Sequence, residues 1–274
     1  MLSFYQHLPE YINPIAFSIG SFNIRWYSLM YLAGFFVVYI LLKYKIQNTR
    51  YKIRDTNLII DFLLYSFAGL IIGARLGYVL FYNFNYFFHN PLEIISPFNS
   101  SGNFTGIFGM SYFGGLIGIG IASLVFCGIK KIKFWQWADF AIPAIPAGYF
   151  FGRIGNFLNG ELFGKITEKP WGMYFNSESF LRHPTQLYEA LLEGLLLFII
   201  LWLLRGRTKF PGYLLLIYLF GYGIIRFFIE FLREPEGAPL SSLTTGQILS
   251  IFLIFFLILL FFKLKNKQKT ANIN

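Results

Sequence analysis

Charge is scarce in this chain. Only 13% of its 274 residues are Asp, Glu, Lys or Arg, where soluble domains carry about 25%. Cysteine occurs once, at Cys127, which excludes a disulfide scaffold. No clustered His or Cys spacing signals a metal. Long polar stretches are missing too, and that excludes intrinsic disorder. The chain is instead 56% apolar, with 35 Phe and 18 Tyr, and its mean hydropathy is +0.56. A water-soluble fold of this length cannot hide so much apolar surface, whereas a bilayer can act as its solvent. The net charge of +10 therefore does not imply a nucleic-acid partner, because in a membrane protein the placement of cations matters more than their sum.

A transmembrane helix needs about 20 apolar residues. Seven stretches come near that: Trp26–Leu42, Leu58–Tyr82, Ile107–Ile129, Phe134–Gly152, Leu187–Leu204, Tyr213–Ile229 and Gln247–Phe262. The fourth is interrupted by Pro143 and Pro146, which a bundle tolerates when neighbours satisfy the freed carbonyls. Basic residues follow spans 1, 3, 5 and 7, giving 15 cations on one side against six on the other, with Arg75 and Arg226 inside spans. The positive-inside rule then places the N-terminus outside and the C-terminus in the cytoplasm.

The sequence thus predicts an all-α membrane protein forming one integral-membrane domain over 1–274. An outer interfacial arm occupies 1–25, a small extracytoplasmic segment lies at 153–186 between spans 4 and 5, and a basic cytoplasmic tail covers 263–274. The first 24 residues do not read as a signal peptide, since they hold Pro9 and Pro14 and lack a basic n-region. Leu8, Tyr11, Ile12 and Ile15 suggest a short amphipathic helix lying along the outer surface. Cys127, amid apolar neighbours at the end of span 3, reads as a packing residue. No internal repeat is visible.

Ionisable groups inside a span are costly and mark functional sites by default. In span 6, Tyr222, Arg226, Glu230 and Arg233 fall within about 80° of one another at 3.6 residues per turn, on an otherwise apolar helix. A structural Arg226–Glu230 pair alone would not require Tyr222 and Arg233 to align with it. At the outer end of span 4, Gly152–Gly164 holds four glycines together with Arg153, Asn156, Asn159 and Glu161. Glycine and asparagine suit a tight backbone path, and the arginine fork matches phosphate oxygens. His183-Pro184-Thr185-Gln186 opens span 5, where Gln186, Glu189 and Glu193 form a polar face. His183 is a candidate base at neutral pH. Asp61 and Asp139, near the cytoplasmic ends, read as structural, whereas Arg75 lies nearer the outer half and is able to join a polar cavity. Trp26 and Tyr31 fit an aromatic belt, and Tyr27 beside Arg25 is a weaker inward candidate. Met110–Leu116 is glycine-rich, as for close approach of a helix or ligand.

Taken in order, these motifs resemble the bacterial prolipoprotein diacylglyceryl transferase family. The likeness runs through Ile24-Arg-Trp-Tyr27, Gly73–Tyr82, Tyr112-Phe-Gly-Gly-Leu116, Gly152–Glu161, His183-Pro-Thr-Gln-Leu-Tyr-Glu189, Tyr222–Arg233 and Gly246–Ser250. It implies a multi-pass enzyme of the bacterial inner membrane with its site toward the outside. Such an enzyme moves the diacylglyceryl group of phosphatidylglycerol onto the thiol of a lipobox cysteine in a preprolipoprotein. A thioether forms and glycerol phosphate is released, with no cofactor and no metal. By the same resemblance, Arg153, Asn156, Asn159 and Arg226 bind phosphatidylglycerol, while Arg226, Glu230, Tyr27, Tyr222 and Glu161 surround the reacting centre. One position departs from the pattern: Phe113 stands where many members carry His. The base then falls to Glu230, Tyr112 or His183, or the positive field suffices without one. The competing reading is a transporter or channel using the Tyr222/Arg226/Glu230/Arg233 stripe.

Overall fold

A computed structural model describes residues 2–20, 22–47, 55–96, 109–176, 178–234 and 243–271, apart from the side chains of Leu2, Phe22, Tyr112, Phe113 and 267–271. The chain is mostly helical. Two short helices, α1 (Leu2–Gln6) and α2 (Leu8–Tyr11), lead into an antiparallel hairpin of β1 (Ile15–Ile19) and β2 (Phe22–Arg25). There follow α3 (Trp26–Gln47), α4 (Asn57–Phe81), α5 (Phe84–His89), α6 (Tyr112–Ile129), α7 (Phe134–Ala141) and α8 (Ile145–Leu158). The last stretch contains α9 (Thr185–Glu189), a π-helical turn over Ala190–Leu196, α10 (Leu197–Leu204), α11 (Tyr213–Ile229) and α12 (Thr245–Ala271).

Among the described residues, four helices are long and apolar enough to cross a membrane: Trp26–Gln47, Asn57–Phe81, Thr185–Leu204 and Thr245–Asn266. Gly114–Ile129 and Tyr213–Ile229 are shorter apolar helices. The fourth expected span is broken where its prolines fall. A 3-10 turn over Ile142–Ala144 separates α7 from α8. Pro143 and Pro146 each sit at the start of their element, where a missing N–H removes no helical bond. Residues 107 and 108 of the third expected span lie outside the described residues, and its helix begins at Tyr112.

The chain divides into two compact units, Met1–Lys45 with Ala138–Asn274, and Ile46–Trp137. In the second unit α4 and α6 meet backbone to backbone. A Cβ added at Gly118 would lie 2.0 Å from the Gly69 carbonyl oxygen, and one at Gly114 would lie 2.3 Å from that of Gly73. This spacing of small residues every fourth position lets helices approach where lipid offers no hydrophobic drive for association. Arg75 of α4 gives its donors to the carbonyls of Glu93 at 2.6 Å and Ile94 at 2.8 Å, in a 3-10 turn over Pro91–Ile94, and of Gly109 at 3.3 Å. Its guanidinium therefore ties down the segment after α5 in its own unit, a use that the sequence reading of a shared polar cavity did not anticipate. Asp61 pairs with Lys130 at 2.5 Å, and Cys127 is buried.

In the first unit the Asp139 carboxylate accepts the backbone N–H groups of Gly212 and Leu214, both at 2.8 Å, and of Leu215 at 3.3 Å. It thereby satisfies the open N-terminus of α11. Lys45, which the sequence places in a basic loop, is instead buried in the last turn of α3. It donates to the carbonyls of Asp139 at 3.1 Å and Phe140 at 2.7 Å.

The N-terminal arm also departs from expectation. Leu8 and Ile12 pack on a core of Phe157, Met173 and Phe175. Tyr174 donates its N–H to the Gln6 carbonyl at 2.8 Å, and its ring stacks on His7 with centroids 4.4 Å apart. Leu8 and Ile12 of the arm are thus covered by protein from the 153–186 segment, while Tyr11 stays exposed. An apolar stripe on a short helix indicates only that something apolar must meet it, so the sequence did not distinguish this partner from a lipid surface.

Candidate active site

One buried carboxylate organises the polar interior of the first unit. Glu189 ends α9, fully shielded from solvent. Three guanidiniums from different elements converge on it: Arg153 Nε at 2.7 Å from α8, Arg226 Nη1 at 3.1 Å from α11, and Arg233 Nη1 at 2.7 Å from the chain beyond α11. A second carboxylate, Glu230, lies 3.3 Å from Arg226 Nη2 and 3.7 Å from Arg233 Nε, and accepts a bond from Thr244 Oγ1 at 3.1 Å. The ion-paired cluster therefore holds three guanidiniums against two carboxylates. Paired and hydrogen-bonded in this way, the groups avoid the large cost of an isolated buried charge.

Local backbone explains how Arg233 arrives. The expected helical stripe assumes that the helix continues through residue 233, but α11 ends at Ile229 with Glu230 as its cap. Arg233 stands in a β-bridge with Gly164, secured by the Lys165 N–H donating to the Leu232 carbonyl at 2.8 Å. Its side chain still reaches Glu189, so the residues meet through a turn and a β-bridge where the sequence suggested a continuous helix.

The glycine-rich segment after α8 is stitched to the start of α9. Arg153 Nη1 donates to Asn156 Oδ1 at 3.2 Å, and Asn156 Nδ2 donates to Glu161 Oε1 at 2.9 Å. Gln186 Nε2 donates to the Glu161 carbonyl at 2.6 Å, and Thr185 Oγ1 to the Leu162 carbonyl at 3.0 Å. Asn159 Oδ1 and Gln186 Oε1 are buried acceptors with no hydrogen-bond partner among the described residues. Tyr27 lies in the first turn of α3, with its hydroxyl 3.0 Å from that of Tyr31. A Cβ on Gly155 would come within 3.3 Å of the Tyr27 Cα, so Tyr27 lies against the same segment. Tyr222 meets the ring of Tyr149 edge-on at 6.4 Å.

The geometry thus brings Arg153, Asn156, Glu161, Arg226 and Glu230 into one network, with Tyr27, Tyr222 and Asn159 on its flanks. His183 stands apart: Nδ1 lies 3.1 Å from the Tyr188 hydroxyl, and it makes no ion pair with the arginines among the described residues. The side chains of Tyr112 and Phe113 lie outside the described residues. Sequence reasoning left out Glu189, Tyr149 and Glu193 as site residues. The available signal was a carboxylate inside an apolar helix, and two such residues were visible on the polar face of span 5.

Partial burial, with Lys169 nearby, holds the His183 imidazole below its ordinary pKa, so it is neutral at pH 7. His183→Gln is expected to leave the pH dependence of catalysis unchanged in initial rates measured between about pH 5.5 and 8, on either side of the imidazole's ordinary value. A displaced acid limb would reinstate His183 as a base. The sign for stability is independent of that role. A neutral buried His stabilises the fold above its unfolded pKa, and the contribution is lost as pH falls through the folded one. The parent should therefore lose thermal stability relative to His183→Gln on acidification.

The family model for prolipoprotein diacylglyceryl transferase matches residues 14–263. The chain belongs to this family. Among its relatives is the phosphatidylglycerol–prolipoprotein diacylglyceryl transferase of Chlorobaculum tepidum, 46% identical over 92% of this chain and 90% of its own. The enzyme of that name from Campylobacter hominis is 42% identical over 100% of this chain and 99% of its own. That of Desulfotalea psychrophila is 42% identical over 97% and 98%. The diacylglyceryl transferase match spans every residue of the arginine–carboxylate network described above.

Proposed function

We propose that the chain transfers the diacylglyceryl group of phosphatidylglycerol to the lipobox cysteine thiol of a preprolipoprotein. Family membership carries the activity, and the observation that ties it to a site is the convergence of Arg153, Arg226 and Arg233 on Glu189. The cysteine sulfur attacks the glycerol carbon, the C–S bond forms and the C–O bond to phosphate breaks. The thioether product remains on the peptide, and glycerol phosphate leaves. Negative charge gathers on the departing phosphate. Three guanidiniums gathered in one cluster complement that charge. Fixed cations in a water-poor site stabilise such charge without reorganising.

In this reading Arg153, Asn156 and Asn159 bind the headgroup, with Arg226 bridging binding and catalysis. Glu230, Glu161, Tyr27 and Tyr222 surround the reacting carbon. The thiol belongs to the substrate, and its proton passes to Glu230 or Tyr112, or leaves with the phosphate under the positive field. The seven-span arrangement, with the N-terminus outside and the C-terminus in the cytoplasm, is supported by the 15-to-six division of basic residues. It puts the 1–25 arm and the 153–186 segment outside, the 263–274 tail inside, and the enzyme in the bacterial inner membrane as one domain. The proposed reaction takes no metal, no cofactor and no nucleic-acid partner. A transporter role for the span 6 stripe is not favoured, because Arg226 and Arg233 are committed to carboxylates.

The test uses the full chain in nanodiscs with phosphatidylglycerol and a lipobox peptide. The peptide should gain the mass of one diacylglyceryl group, with equimolar release of glycerol phosphate. A peptide of unchanged mass, with the lipid intact, would overturn the reading.

A further inference from the structure

We infer that Tyr149 and Glu193 act as a positioning pair that sets the direction of the Arg153 guanidinium toward the lipid phosphate. The inference rests on the headgroup role proposed for Arg153. Tyr149 lies one turn before Arg153 on α8. Its ring lies beneath the guanidinium, 4.9 Å from centroid to Cζ. Its hydroxyl oxygen accepts the Arg153 Nε–H at 2.8 Å. Glu189 Oε2 is equally close to Nε, at 2.7 Å, but that oxygen has no hydrogen-bond alignment. The one Nε–H thus points at Tyr149, while Nη1 points at Asn156. Pinned at these two atoms, the planar fork has a single orientation.

Glu193 determines which way the tyrosine hydroxyl serves. A hydroxyl has one proton to give, and the Tyr149 hydroxyl gives it to the Glu193 carboxylate. Its lone pair is then left facing Nε–H. Without Glu193, the hydroxyl proton would be free to rotate toward the arginine and meet another donor.

Glu193 differs from the other two carboxylates of the interior. It is fully shielded from solvent, yet no guanidinium lies within ion-pair distance of it among the described residues, since the three arginines are paired with Glu189 and Glu230. Its Oε1 has no hydrogen-bond partner there either. A buried carboxyl group held this way is costly, and among the described residues Tyr149 is the side chain that hydrogen-bonds to it. The backbone is shaped to deliver it. Glu193 lies in the π-helical turn Ala190–Leu196, a rare conformation found chiefly as single turns, often at functional sites. Beside it Gly194 is packed so closely on α8 that a Cβ would come within 2.8 Å of the Phe150 Cα.

The test compares Tyr149→Phe, Glu193→Gln and the double variant in the full-length protein, in nanodiscs of phosphatidylcholine with added phosphatidylglycerol. Two readouts are taken: steady-state transfer, and phosphatidylglycerol binding without peptide. Tyr149→Phe keeps the ring and removes only the hydroxyl. It should raise the KM for phosphatidylglycerol about tenfold, as expected for losing an interaction made equally in ground and transition states. The KM for peptide should not move, which separates positioning from general loss of structure. Glu193→Gln should act in the same direction, and the double variant should be no worse than Tyr149→Phe, because Glu193 acts through the hydroxyl. An unchanged lipid KM in Tyr149→Phe, or multiplied effects in the double variant, would overturn the inference. Should Tyr149→Phe fail to fold, Glu193→Gln with its own lipid KM decides the matter. A parent chain that bound phosphatidylglycerol but transferred nothing would sink the transferase reading alone, provided binding still weakened tenfold in Tyr149→Phe.

Discussion

Arg226→Ala is expected to lower diacylglyceryl transfer by at least 10²- to 10³-fold, roughly the loss seen when one preorganised donor to a developing oxyanion is removed. Arg226 touches both carboxylates of the cluster, Glu189 at 3.1 Å and Glu230 at 3.3 Å. Its side chain nevertheless remains 18% exposed, while those of Arg153 and Arg233 fall to 9% and 8%. It is therefore the guanidinium of the three with the most surface left for a substrate. Initial rates with saturating lipid and peptide measure the effect. Arg226→Lys separates charge from shape: it keeps a cation but loses the planar fork. A lysine variant with full activity would mean that charge alone suffices, and full activity in the alanine variant would remove Arg226 from the reacting centre. Thermal unfolding of both variants in detergent guards against a trivial loss of fold.

Much of the architecture was legible because apolar runs are long and uninterrupted. Helix α11 begins and ends where the sequence places its sixth apolar run, Tyr213–Ile229, since Gly212 precedes it with φ of 95° and the charged Glu230 follows. The π-helical turn after Glu189 has no such signature, since Ala190–Leu196 reads as ordinary apolar helix. The β-hairpin of the N-terminal arm was missed for a related reason. Its strands are five and four residues long, and an apolar stripe that short serves a helix or a strand equally well. At the site, Arg153, Asn156 and Glu161 were visible because they are crowded into one glycine-rich segment. Glu189 was visible only as one polar residue on an apolar helix. Its importance comes from three arginines spread over 81 positions of sequence, from Arg153 to Arg233, and that meeting is set by packing.

Glu189→Gln is expected to destabilise the fold by about 3–5 kcal/mol, the cost of removing one partner from a buried ion pair. The substitution preserves volume and leaves three guanidiniums with Glu230 as the only carboxylate ion-paired to them among the described residues. An amide oxygen can accept a hydrogen bond from one arginine, but it brings no charge to offset the other two. Repulsion should then push the guanidiniums apart, with Arg233 displaced most because its backbone sits in a β-bridge with Gly164 rather than in a helix. The prediction is read as a lowered unfolding midpoint and faster proteolysis after residue 164, in the segment that the Leu232 carbonyl anchors through Lys165 at 2.8 Å. Added phosphatidylglycerol should restore part of the lost stability, because its phosphate supplies the missing negative charge and ligand binding stabilises the native state by mass action. Rescue should be larger in Glu189→Gln than in the parent at equal lipid. If Glu189→Gln unfolded at the parent's midpoint, the carboxylate would not be the keystone of the cluster. Equal rescue of both proteins by lipid would indicate that the phosphate binds elsewhere than among these three arginines.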